Sequence, residues 1–236
     1  MSSKKQNFDP NEIAKFESLA SRWWDTKGEF GPLHDINPLR LKWIKNHIDF
    51  PKMRVVDIGC GGGILAESMS LLGADVTGID LAEAPLAVAR LHQHESNTKI
   101  DYRNISAEDL AHEEANSFDI VTCLEVLEHV PDPASTINSC ANLVKPNGHV
   151  FFSTINRNLK SFLFAIIGAE YVLKLLPHGT HEYEKFIKPS ELETWARKSG
   201  LTLKDSIGMQ YNPITKKYAL ENNLDVNYLM YFKCEK

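Results

Sequence analysis

The chain has 236 residues, of which 43% are apolar and 24% charged, and its formal net charge is −5. A chain of that length buries a core without staples, and this ordinary usage excludes disordered and collagenous classes. The mildly acidic balance makes it a poor general binder of nucleic acid, and none is expected as a partner.

The opening MSSKKQNFDPNE has no apolar stretch of the signal-peptide kind, so a cytoplasmic protein with reduced thiols is expected. Glu12 to Trp24 places Ile13, Phe16, Leu19, Ala20, Trp23 and Trp24 at helical spacing, which predicts an amphipathic helix packed on the main core. Asp25 to Pro38 is rich in Gly, Pro and Asp and reads as a loop. Pro38 then starts a short helix through His47.

From Val55 the pattern alternates. Val55–Ile58 is an apolar strand, and Gly59-Cys60-Gly61-Gly62-Gly63 leads into a helix over Ile64–Leu72 that Gly73 stops. Asp75–Ile79 is a second strand ending at Asp80, and Pro85–Ser96 a second helix. Ile100–Arg103 is a third strand, and Phe118–Leu124 a fourth whose continuous apolar run suits burial on both faces. Ala134–Val144 is helical and His149–Ser153 is a fifth strand. Ser190–Ser199 reads as helix, while Leu201–Ile207 and Asn227–Cys234 supply two more strands. Alternation at this spacing predicts an α/β fold, a doubly wound, mostly parallel sheet of seven strands. No linker divides the chain, so one domain is expected over residues 1–236. It has an N-terminal helical cap (1–50), a cofactor-binding core (51–153), an insertion (154–189) and the C-terminal part of the sheet (190–236). Cys60, Cys123, Cys140 and Cys234 never form C-x-x-C, which gives neither a zinc knuckle nor a redox pair.

In such sheets a ligand sits beyond the carboxyl ends of the strands. Glycines at 59, 61 and 63 let the backbone turn sharply and approach that ligand, and the following helix offers free N–H groups. Asp80 can accept the hydroxyls of a ribose. Gly61-x-Gly63-x-x-Ala66 formally satisfies a dinucleotide pattern. Asp57 decides against it, because a carboxylate just before the glycines would repel a pyrophosphate. It suits a cationic cofactor instead, and S-adenosylmethionine brings an ammonium and a sulfonium. The D-x-G-x-G-x-G pattern with its later aspartate resembles the first motif and acidic loop of class I S-adenosylmethionine-dependent methyltransferases. In that class the loop matching Ile105–Asp109 often contacts adenine; Ser106 reads equally well as an ordinary helix N-cap. Leu124, ending the fourth strand, would border the cofactor.

After the fourth strand, Glu125, Glu128 and His129 share one face if the segment is helical. Three readings stay open. The set binds a divalent cation such as Mg²⁺; Glu128 and His129 form an acid–base pair acting on a hydroxyl; or the side chains pack and solvate locally.

Several longer stretches are more specific: EIAKFESLASRWWD, EFGPLHDINPLRL, VVDIGCGGGILAE, VTCLEVLEHVPDP, FFSTINRN, GAEYVLKLLPHGTHEYEKFIKPSEL, YNPITKKY and DVNY. Together they resemble the UbiG family, the O-methyltransferases of ubiquinone biosynthesis, over nearly the whole chain. The resemblance implies a Rossmann-like methyltransferase fold. It implies methyl transfer to phenolic hydroxyls of polyprenyl-hydroxyphenol compounds and of demethylubiquinol, and it admits other ubiquinone biosynthesis enzymes as partners. It also implies Arg40, Gly59, Asp80 and Leu124 as cofactor contacts, with Asp57 and Gly61 beside them. Arg40 would meet the methionine carboxylate and offset Asp57 across the cofactor. Glu125, Glu128 and His129 match the metal-binding E-x-x-E-H of mitochondrial relatives.

A free phenol has a pKa of about 10 and must lose its proton before methylation. His129 with Glu128 is the first candidate base, and His181, in a loop expected over the substrate side, is the second. Lys160–Leu176 (KSFLFAIIGAEYVLKLL) offers more apolar surface than one sheet face covers. It reads either as an interfacial segment that meets an anionic membrane surface and admits a prenyl tail, or as a helix buried in the core or a homodimer contact. The first reading implies a cytoplasmic protein held peripherally at the inner membrane face.

Overall fold

The structure is a computed structural model that describes residues 7–158 and 183–235. Its strands are β1 (Arg54–Ile58), β2 (Asp75–Asp80), β3 (Ile100–Asn104), β4 (Phe118–Leu124), β5 (Val144–Ile155), β6 (Leu201–Asn212), β7 (Lys217–Glu221) and β8 (Asn227–Cys234). Its helices are α1 (Pro10–Leu19), α2 (Gly31–Lys45), α3 (Ile64–Leu71), α4 (Glu83–Ser96), α5 (Ala107–Glu113), α6 (Pro133–Leu143) and α7 (Pro189–Lys198). The strands form one sheet in the order β3-β2-β1-β4-β5-β8-β6-β7. The first five pair in parallel, and β8, β6 and β7 add on as antiparallel neighbours. The order reverses between β1 and β4, and a ligand crevice opens at such a switch point.

Period-two alternation sends neighbouring side chains to opposite faces. Val121, Phe152 and Phe232 pack with Leu110, Ile137, Leu192 and Ala196 from α5, α6 and α7. Ile120, Phe151 and Tyr231 pack on the other face with Trp43, Ile44, Met69 and Leu86 from α2, α3 and α4. Each fully buried side chain of this size contributes about 1.5–3 kcal/mol. Both faces of the central strands are covered, which is why β4 reads as an unbroken apolar run. The four cysteines are all buried and unpaired with one another as disulfides.

Two expectations need correction. The helix expected from Pro38 begins at Gly31, so most of the supposed loop is the first half of α2. Pro32 lies in the first turn, where its missing N–H costs nothing, while Pro38 sits inside the helix and removes one internal bond. Burial of Ile36, Arg40, Trp43 and Ile44 along one face carries the helix through that defect. The sheet has eight strands rather than seven. β6 runs on to Asn212 and turns back as β7, with Asn212 Oδ1 accepting the N–H groups of Ile214 and Thr215. β7 alternates between exposed and half-buried residues, and its apolar run, Tyr218–Leu220, is only three residues long.

Candidate active site

The turn after β1 is possible only for these residues. Gly59, Gly61 and Gly63 have φ of +67°, +52° and +88°, the left-handed region that a Cβ disfavours. Space is equally restrictive, because a Cβ at Gly61 would run into the Trp23 ring and one at Gly59 into Val126. Asp80, at the end of β2, braces the turn. One carboxylate oxygen accepts the Gly61 N–H and the other the Ala82 N–H, each at 2.9 Å. Both oxygens keep further lone pairs for hydroxyl donors. Burial raises the Asp80 pKa, and these backbone N–H groups pull it back. Asp57 is buried one strand over, where Oδ1 accepts the Thr122 hydroxyl at 2.7 Å. Burial pushes its pKa up to about 7 against that hydrogen bond and the Arg40 charge. A neighbouring cation would hold it ionised.

Beyond β4 the chain swings at Glu125, whose φ of +57° is unusual for a residue with a side chain. The swing delivers its carboxylate to Arg40, 2.7 Å away. Ser153 Oγ donates to the same group at 2.6 Å, and Asn227 Nδ2 at 3.0 and 3.1 Å. Arg40 is only 6% exposed, and its Nε has no hydrogen-bond partner among the described residues. A buried guanidinium with a donor to spare suits an incoming anion. Glu128 is buried beside Thr154, whose hydroxyl donates to Oε2 at 2.8 Å. Burial first, and the Glu125 charge second, push the Glu128 pKa up to about 7. His129 Nδ1 meets Glu12 at 3.0 Å, and the ring edge rests on Phe16.

The shared helical face expected of Glu125, Glu128 and His129 is absent. Only Leu127–His129 forms a turn, a single 3-10 one, and the left-handed Glu125 stands outside it. The three side chains go to Arg40, Thr154 and Glu12 respectively. Among the described residues no three His, Cys, Asp or Glu side chains are grouped to hold a metal ion.

The N-terminal segment also differs from expectation. α1 starts cleanly, with Asp9 as N-cap and Pro10 in the first turn, but it ends at Leu19, and of the expected stripe only Ala20 and Trp23, in and after a short 3-10 turn, are buried. The helix lies over the crevice, and Phe16 and Leu19 join a small cluster with Trp23, Phe30 and Ile64. Trp24 Nε1 donates to the Gly62 carbonyl at 2.9 Å, and its ring stacks on His92, which Glu67 holds through Nδ1 at 2.9 Å. Two adjacent tryptophans thus clasp the glycine turn.

Together these elements enclose a mainly apolar cavity of about 430 Å³. Arg40, Asp57, Gly59, Gly61, Asp80, Leu124, Glu125, Glu128 and His129 all line it. Ser106 is indeed the N-cap of α5, its hydroxyl accepting the Asp109 N–H, and it too borders the cavity. His181 and the stretch 160–176 lie outside the described residues. Glu12, Tyr211, Tyr218 and Asn227 also line the cavity, and no local pattern marks them as site residues, beyond the two tyrosines bracketing the turn of YNPITKKY.

A methyltransferase-domain family matches residues 34–205. The ubiquinone biosynthesis O-methyltransferase of Stutzerimonas stutzeri is 64% identical over 224 residues, covering 95% of this chain and 97% of its own. The protein of the same name from Pseudomonas aeruginosa PAO1 is 62% identical over 229 residues, covering 97% and 99%. Among solved structures, magnesium protoporphyrin IX methyltransferase from Synechocystis, with bound SAH, superposes with a TM-score of 0.64 at 17% identity, covering 98% of this chain and 90% of that one. A possible histamine N-methyltransferase from Thermotoga maritima gives 0.66 at 16% identity, covering 95% and 99%. At those identities the two structures speak for the fold alone. With a methyltransferase domain over most of its length and near-full-length relatives of one name, the chain belongs to the ubiquinone biosynthesis O-methyltransferase family of S-adenosylmethionine-dependent enzymes.

Proposed function

We propose that the chain methylates phenolic hydroxyls of polyprenyl-hydroxyphenol intermediates and of demethylubiquinol. The observation that carries this reading is one cavity lined by Asp57 and Asp80 at its glycine turn and by the buried Arg40. The cofactor fits those residues. Asp80 has lone pairs for ribose hydroxyls, the buried Asp57 would be held ionised by a neighbouring cation, and Arg40 has an unused buried donor for a carboxylate. When bound, S-adenosylmethionine supplies a methyl group on a positively charged sulfur. Charge is neutralised as the methyl passes in line to oxygen, so the protein's task is to align the two centres and exclude water. The phenolic proton passes to His129 or Glu128, which sit where the chain leaves β4. Glu128, at about 7, gains and loses a proton near neutrality. His181 is the alternative acceptor.

Transfer of labelled methyl from S-adenosylmethionine to a prenylated demethylubiquinol, compared with a soluble catechol and a soluble amine, tests this. Strong preference for the prenylated acceptor is expected. Equal or better transfer to either soluble compound overturns the acceptor assignment and leaves a class I methyltransferase of another specificity.

Magnesium does not fit the described arrangement, because Glu125 would have to leave Arg40 and His129 would have to leave Glu12. Activity before and after chelation decides whether the E-x-x-E-H set closes on the ion during turnover.

The segment 160–176 is proposed from its sequence to meet an anionic bilayer and admit the prenyl tail. No helix among the described residues is long and apolar enough to cross a membrane. Flotation with anionic vesicles, wild type against the double substitution Phe162→Asp/Ile166→Asp, should show loss of binding in the variant. Equal partitioning removes the proposal.

A further inference from the structure

We infer that the hydroxylated ring of the acceptor is seated at the far end of the cavity, against Met209, Tyr211 and Tyr218, and that this wall selects for an aromatic acceptor. The inference rests on the methyl-transfer reading above and adds the residues that choose the acceptor. The cavity has two differently built ends. One is made by the carboxyl ends of β1 and β2 and the start of α5, where the glycine turn, Asp80 and Ser106 lie. The other is made by the β6–β7 hairpin, which has no part in the glycine turn, together with Arg40 of α2. In the sheet order that hairpin stands on the opposite side of β4 from β2. A cofactor held at its ribose by Asp80 and at its carboxylate by Arg40 would leave the hairpin side of the cavity for the acceptor.

The wall is built for a flat apolar ring. Met209 and Tyr211 lie two residues apart on β6, hence on one face of the strand. Tyr211 stands directly opposite Tyr218 in the hairpin register, and their ring centroids are 4.9 Å apart at 48°. Tilted rings at that separation present both a face and an edge to a third ring. Met209 is 4% exposed and supplies a polarisable thioether beside them. The hairpin is not a free flap. Tyr218 and Leu220 pack against the cluster that contains Ile36 and Trp43 of α2. That packing brings Tyr218 within the charge fields of Arg40 and Glu125, at the place where α2 meets the end of β4. Burial raises its pKa to about 12, so the phenol stays protonated and able to donate. Asn227, bonded to Glu125, completes the polar margin of this end. An acceptor ring here would have aromatic contact on one side and hydrogen-bonding groups toward its hydroxyls, whereas an aliphatic amine would leave the aromatic wall without a partner.

The bland alternative is that the tyrosine pair only ties the hairpin together. Two readouts separate the possibilities, with S-adenosylhomocysteine and a short-chain demethylubiquinol as probes. Calorimetry measures S-adenosylhomocysteine affinity, then binding of the quinol to the S-adenosylhomocysteine-loaded protein; turnover gives KM for the quinol. Tyr211→Leu and Tyr218→Leu should each weaken quinol binding and raise its KM by about tenfold, the effect of losing one ring–ring contact. S-adenosylhomocysteine affinity should stay near wild type, any fall in Tm reports lost hairpin packing, and Tyr218→Phe, which keeps the ring, should recover most of the quinol affinity. Unchanged quinol binding in both leucine variants overturns the subsite, as does an equal loss of S-adenosylhomocysteine affinity. Wild-type protein that binds the quinol without methylating it overturns the functional reading while leaving the subsite standing; failure to bind it at all removes both.

Discussion

Glu12 and His129, 117 residues apart in sequence, meet as a carboxylate–imidazole pair with Oε2 3.0 Å from Nδ1. The contact joins α1, which has no residue buried in the core, to the turn that follows β4. It lowers the Glu12 pKa from 4.5 to about 2, chiefly through the hydrogen bond to His129. A depressed carboxylate pKa adds stability above the unfolded value that disappears as pH falls through the folded one. Glu12→Gln should therefore lower stability at pH 7 by about 1.5 kcal/mol, as for a partly screened bond to a charged group. The gap between wild type and variant should close between pH 4.5 and about 2. Thermal melts across that range check it; a gap independent of pH would mean that the pair contributes no charge-dependent stability.

Asp57 should behave in the opposite sense. Its folded pKa of about 7 lies above the ordinary 3.8, so the cofactor-free protein is most stable with Asp57 protonated and loses that contribution as pH rises toward 7. Pairing with a ligand's ammonium needs the ionised form. S-adenosylhomocysteine affinity should rise with pH up to about 7 and then level off. Asp57→Asn should remove this dependence, weaken binding, and make the cofactor-free protein more stable at pH 8. Calorimetry and melts at pH 6 and pH 8 decide it.

Gly61→Ala combines two faults, a left-handed φ of +52° and a Cβ in the path of Trp23. The expected result is displacement of the tryptophan clasp, seen as a change in indole fluorescence, together with at least tenfold weaker cofactor binding, or about 1.4 kcal/mol. Asp80→Ala should weaken cofactor binding too, because it removes the ribose acceptor together with the brace on the Gly61 N–H. Unchanged affinity in Asp80→Ala would take away its ribose role.

His129→Ala should reduce turnover at saturating cofactor by about a hundredfold, the scale of a lost general base, while cofactor affinity changes little. Turnover near wild type would pass the role to Glu128 or His181.

What the sequence disclosed and what it hid follow from locality. β4 and β8 were legible to the residue, because Phe118–Leu124 and Asn227–Cys234 are buried strands with apolar runs. The glycine turn was legible because close approach and left-handed backbone leave glycine as the workable residue. α2 was misread because a proline inside a helix is indistinguishable, one residue at a time, from a proline that starts one. β7 escaped notice because an edge strand needs only alternation. The geometry after β4 was hidden for a deeper reason: the left-handed Glu125 is stabilised by Arg40, Ser153 and Asn227, three residues from distant parts of the chain. No local pattern records such a contact. The same holds for Glu12, whose partner can be found only once α1 is folded over the crevice.

The burial of all four thiols has a practical consequence. Cys60 sits within the glycine turn itself, and burial drives its thiol far toward the protonated, unreactive form. An alkylating electrophile can therefore label this position only in excursions that expose the thiol and let it ionise. The rate of its capture becomes a clock for breathing of the crevice, one that should slow when the nucleoside ligand is added.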